Sequence, residues 1–90
     1  MSEDAAQQLR ELRAHIDQLD DQLQQLFLER MELVHQVGAL KREDCIPILH
    51  ADRENEILMR LTADLPPEQE QNVTEFFQTL FAISRRQQDA

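Results

Sequence analysis

Leu9–Arg42 reads LRELRAHIDQLDDQLQQLFLERMELVHQVGALKR, and its spacing decides the fold. Apolar residues recur at Leu9, Leu12, Ile16, Leu19, Leu23 and Leu26, then at Leu33, Val37 and Leu40. The steps alternate between three and four, which is the heptad seam of one long helix. No proline interrupts the run, and its only glycine is Gly38. The one position the seam skips is Arg30. Lys41 follows 11 residues later; at 100° per residue the two lie within about 20° of the same face, roughly 16 Å apart along the axis.

Outward from this run the chain divides at its breakers. The long helix is expected over about residues 5–42, followed by a loop, REDCIP, that ends at Pro47. A second helix is expected over about 49–63, with Ile57, Leu58 and Leu61 as its apolar stripe. The turn ADLPP then leads to a third helix over about 67–88, carrying Val73, Phe76, Phe77, Leu80, Phe81 and Ile83. At its start Asp64 suits a cap, Pro66 or Pro67 suits the first turn, and Glu68 and Glu70 complement the helix N-terminus. Composition agrees with an all-α chain. There is one glycine and there are three prolines in 90 residues, so turn chemistry for a sheet is scarce. The length suits a single small domain.

One long and two short helices leave much of the long seam uncovered. A second copy pairing its long helix is the simplest cover, and small chains often depend on such help. The formal charge of −9 argues against nucleic acid and against an anionic membrane surface. The first ten residues are polar and no long apolar run exists, so the expected compartment is the cytoplasm. Cys45 is alone, and His15, His35 and His50 form no ligand pattern, so no metal is expected.

Polar residues on apolar faces carry the functional signal. Arg30 and Lys41 are cations on the seam side of the long helix, and Gly38 between them leaves that surface open. Together they resemble the walls and floor of an anion site. Each also has an ordinary reading: an arginine that snorkels, and a lysine that complements a helix C-terminus. Glu54 falls on the buried stripe of the second helix and needs a partner or a ligand, with Arg53 and His50 flanking it. An Arg–Glu structural pair is the plain alternative. On the third helix Phe77, Leu80, Ser84 and Gln88 are spaced three, four and four, so the stripe turns polar without changing face. Arg13 lies 17 residues before Arg30, roughly 25 Å along the axis, too far to join it within one chain. In an antiparallel dimer it would reach the partner's site; otherwise it is a surface arginine beside Asp17. No P-loop, zinc spacing or nucleophile–base pair accompanies these residues. The chemistry should run on positioning and electrostatics.

The run from Leu9 to Gln88 resembles the all-helical chorismate mutases. The motifs are I-D-x-L-D (Ile16–Asp20) with Arg13 before it, E-R-x-E-L (Glu29–Leu33), V-G-x-L-K (Val37–Lys41), D-R-E (Asp52–Glu54) and S-x-x-x-Q (Ser84–Gln88). The resemblance implies an intertwined homodimer of three-helix chains that converts chorismate to prephenate without a cofactor. It implies that Arg13 of the partner subunit and Arg30 hold the substrate carboxylates. Lys41 would contact a carboxylate and the ether oxygen, and Gln88 would donate to that oxygen. Glu54 would accept from the ring hydroxyl with Arg53 beside it, and Ser84 would assist with a carboxylate. The chain departs from the family at His50, where many members carry aspartate four residues before the D-R-E glutamate. An offset of one in the third helix would put Gln87 in the Gln88 role. Alternatives on this scaffold are an isochorismate pyruvate lyase and a non-catalytic regulatory or dimerisation module. A free-standing enzyme and a domain of a longer one both fit.

Overall fold

In the computed structural model, which describes residues 2–89, the chain is all-helical: α1 (Glu3–Glu43), α2 (Ala51–Thr62) and α3 (Pro67–Gln88). No strand occurs among the described residues. No helix there is long and apolar enough to cross a membrane. Two compact units share the chain, the first ending at Arg30 and the second beginning at Met31.

From Glu3 onward the first unit is helical. The Ser2 hydroxyl accepts from the Ala5 N–H at 3.1 Å, and Glu3 and Asp4 occupy the first turn. This is an N-cap followed by charges of the favourable sign. The seam residues from Leu12 to Leu26 are exposed. Leu12, Ile16, Leu19, Leu23 and Leu26 are each 52–61% exposed.

The second unit holds the core: Met31, Ile57, Leu80 and Phe81, with Gly38 and Ser84 also buried. α2 packs on α3. Phe77 and Phe81 pack with tilted rings, 6.0 Å between centroids, while Phe76, expected to be an apolar position, is 55% exposed. α1 ends in a Schellman-type turn. The Ile46 N–H donates to the Lys41 carbonyl at 2.8 Å, and the Cys45 N–H donates to the Arg42 carbonyl at 3.4 Å. Cys45 takes the left-handed conformation, φ 55°, that this motif usually assigns to glycine.

Two local expectations are corrected. α2 begins at Ala51 rather than Leu49: its first bond runs from the Glu54 N–H to the His50 carbonyl at 3.1 Å, while the Ile48 carbonyl accepts from the Lys41 ammonium at 3.0 Å. The α3 N-cap is Pro66, without a side-chain cap bond, so Asp64 does not cap. Pro67 occupies the first helical position, where its missing N–H carries no penalty.

Candidate active site

The last turns of α1 and α3 meet in the second unit, and Gly38 is the reason they can. A Cβ built there would lie 2.6 Å from the Cα of Gln88 and 2.8 Å from its carbonyl carbon. The expectation of an open helix surface at Gly38 is therefore corrected. The missing side chain admits the backbone of α3, and the site is built above that contact.

Gln88 is fixed there by three groups of α1. Gly38 admits its backbone, the Arg42 guanidinium donates to its carbonyl, and the Lys41 ammonium donates to its side-chain Oε1 at 2.6 Å. The Arg42 bond satisfies a carbonyl that a helix C-terminus otherwise leaves orphaned. Lys41 is half-buried, and its second acceptor is the Ile48 carbonyl. Both acceptors are neutral oxygens, and neither salt bridge among the described residues includes Lys41. Its charge is thus uncompensated by contact, and an ammonium has a third N–H to offer. The Gln88 Oε1 is occupied by Lys41, which leaves the amide NH₂ as its outward donor.

Glu54 is half-buried, as its place on the apolar stripe suggests, but its partner is a residue that sequence reasoning missed. One guanidinium nitrogen of Arg85 donates to both Glu54 oxygens, at 2.8 and 2.6 Å. The expected flanking by Arg53 and His50 is corrected. Successive helical residues point about 100° apart, and Arg53 turns outward to pair with Glu56 at 2.8 Å. His50 is exposed at the α2 N-cap position and makes no side-chain cap bond. His50 and Arg53 line a surface cleft of about 490 Å³ with Asp52 and Glu56. Glu54 and Arg85 line a different cavity of about 270 Å³, walled by Leu58, Gln78 and Phe81. The signal for Arg85 was present in the spacing: Phe77, Phe81 and Arg85 are four and four apart, so the cation falls on an aromatic stripe.

Ser84 is buried, and its hydroxyl donates to the Leu80 carbonyl at 2.7 Å. Gln87 and Gln88 are both half-buried, and it is the Gln88 side chain that bonds Lys41. Arg30 is half-buried at the end of the first unit, and Arg13 is exposed within it. An Arg13–Asp17 pair is not among the salt bridges of the described residues.

Comparison with known proteins gives the family. The family model for chorismate mutase type II matches residues 12–89. Over 58 residues, 62% of the chain, the sequence is 47% identical to the T-protein of Haemophilus influenzae. Over 55 residues, 61% of the chain, it is 34% identical to the bifunctional chorismate mutase/prephenate dehydratase of Aquifex aeolicus. The matched segment is 15% of the length of each of those proteins. No solved structure matches the chain. Since the family model takes in most of α1 and all of α2 and α3, the chain belongs to the chorismate mutase type II family.

Proposed function

We propose that this chain catalyses the rearrangement of chorismate to prephenate, a step toward phenylalanine and tyrosine, as a homodimer with shared sites. The observation that carries the reading is the Lys41 ammonium: half-buried, held by two neutral oxygens, and 2.6 Å from the Gln88 side chain. A fixed cation without a carboxylate of the described residues against it suits an anionic ligand. An amide donor beside it suits an oxygen on which charge develops.

In this reaction one molecule breaks its ether C–O bond as a new C–C bond forms, with no group transferred to the protein. Negative charge grows on the ether oxygen in the transition state. Lys41 and the Gln88 amide serve that oxygen, so the stabilisation is larger in the transition state than in the ground state. Lys41 also contacts a substrate carboxylate, as does Arg30. Arg13 of the partner subunit holds the second carboxylate. This clamp keeps the side chain over the ring and lowers the entropic part of the barrier. Glu54 accepts from the ring hydroxyl. His50, just before α2, and Arg53, on its outer side, are the further groups this reading places near the ring hydroxyl. Ser84 assists with a carboxylate by exchanging its Leu80 bond for that contact.

The dimer is supported by the uncovered seam of α1. Leu12, Ile16, Leu19, Leu23 and Leu26 present an apolar stripe at heptad spacing, and a second α1 is its natural complement. The test is loss of chorismate absorbance with prephenate identified as product. Turnover is expected in the wild type and is expected to fall by about 100-fold or more in Lys41→Ala, the usual scale for removing one donor to a developing anion. A folded Lys41→Ala variant with unchanged turnover would remove Lys41 from the mechanism.

A further inference from the structure

Arg85 has no role in the reading above, yet it is the group that touches Glu54. The pair is not a core ion pair: the side chains are 36% and 24% exposed, and both line the cavity of about 270 Å³ beside Leu58 and Phe81. A partly exposed ion pair adds little to stability. Its geometry points instead to orientation. A single Arg85 nitrogen spans both carboxylate oxygens. A carboxylate has about four lone-pair sites, so acceptor capacity remains for a ligand. Without Arg85, a glutamate at a cavity wall is free to leave the geometry that its acceptor role requires, because its long side chain has many rotamers.

The charge state of this pair selects what it recognises. Arg85 neutralises Glu54, so the cavity offers an acceptor without a net charge. That suits a neutral hydroxyl donor and gives no advantage to a carboxylate, whereas Lys41 suits the anionic end. Both elements depend on one turn of α3. Arg85 and Gln88 are at i and i+3, a spacing that makes them neighbours on a helix. The turn that sets Gln88 against Lys41 therefore also sets Glu54.

We propose that Arg85 is a positioning residue, holding Glu54 in the orientation that accepts the substrate's ring hydroxyl. The role rests on the chorismate reading and adds to it a residue that acts only through Glu54. It is tested by a double-mutant cycle on kcat/KM using Glu54→Gln and Arg85→Gln, with Arg85→Lys as the conservative variant. Arg85→Gln lowers kcat/KM by about 10-fold in the wild-type background and by less than about 2-fold in the Glu54→Gln background, because a residue acting through another loses its effect with it. Arg85→Lys restores activity to within about 3-fold of wild type, since an ammonium can still hold the carboxylate. Equal losses in both backgrounds, no loss at all, or an Arg85→Lys variant as impaired as Arg85→Gln would overturn the proposal. Helical content by circular dichroism at the assay temperature accompanies each variant. If Arg85→Gln unfolds, Arg85→Met, which keeps the aliphatic stem in the cavity, takes its place in the cycle. A wild-type chain that does not turn over chorismate would remove the parent reading and this role together. Turnover with additive losses would remove only the role of Arg85.

Discussion

Replacing Gly38 by alanine separates local helix preference from tertiary fit, because the two predict opposite signs. In an isolated helix alanine is favoured over glycine by about 1 kcal/mol. In the folded chain the added methyl would lie 2.6 Å from the Gln88 Cα and 2.8 Å from its carbonyl carbon. Carbon atoms rest at roughly 3.5–4.0 Å, so the α3 terminus must withdraw by about 1 Å. Overpacking of this kind costs about 1–3 kcal/mol. The expected sum is a net loss of about 1 kcal/mol after the propensity gain is subtracted. The effect on the site is larger. The Lys41–Gln88 bond is 2.6 Å, and a 1 Å retreat takes it to about 3.6 Å, which is no longer a hydrogen bond. Misplacement on that scale can lower turnover by about 100-fold. Fraying of the last α3 turn gives the same outcome for activity, since Gln88 leaves Lys41 either way. The assay pairs urea denaturation with the chorismate absorbance rate. A Gly38→Ala chain that is more stable by about 1 kcal/mol and turns over at the wild-type rate would refute the reasoning, because Gln88 would not then be seated on Gly38.

The proposed sharing of sites between two subunits makes a complementation prediction. Arg13→Ala and Lys41→Ala chains are each expected to be inactive as homodimers. After mixing, unfolding and refolding together, half the dimers would be mixed, and each would carry one intact site, so activity should return to about a quarter of wild type. No recovery from dimers confirmed to be mixed would exclude a site completed by Arg13 of the partner subunit. Cys45 makes a stability prediction, since its φ of 55° is unfavourable for any residue with a Cβ. Cys45→Gly should raise stability by about 1 kcal/mol in urea denaturation; a lower stability would show that the Cys45 side chain contributes more than the strain it carries.

Much of this protein was legible along the chain, because helices write their faces into spacing. The steps of three and four from Leu9 to Leu40 predict a long helix with one apolar side. Pro67 followed by Glu68 and Glu70 marks the start of α3. Ser84 and Gln88 can be read as polar members of an apolar stripe. Lys41 can be read as a cation near an interface. These are local properties of a single helix, and periodicity reports them directly.

What the chain alone determined, then, was which face of each helix is apolar and which polar groups interrupt it. Which interruption meets which was decided by tertiary structure. The sequence left Gly38 as an apparent opening, and packing filled it with the backbone of Gln88. Glu54 was a carboxylate in need of a partner; its neighbours Arg53 and His50 were the near choices in sequence, and Arg85, 31 residues away, is the partner in space. Arg42, only the end of the long helix when read along the chain, proves to close the end of α3. The physical reason is common to all three. A helix sends adjacent residues about 100° apart, so the nearest residue in sequence is seldom on the same face. The residue that satisfies a half-buried charge, or fills the space above a glycine, comes from another helix, and its identity depends on how the helices cross.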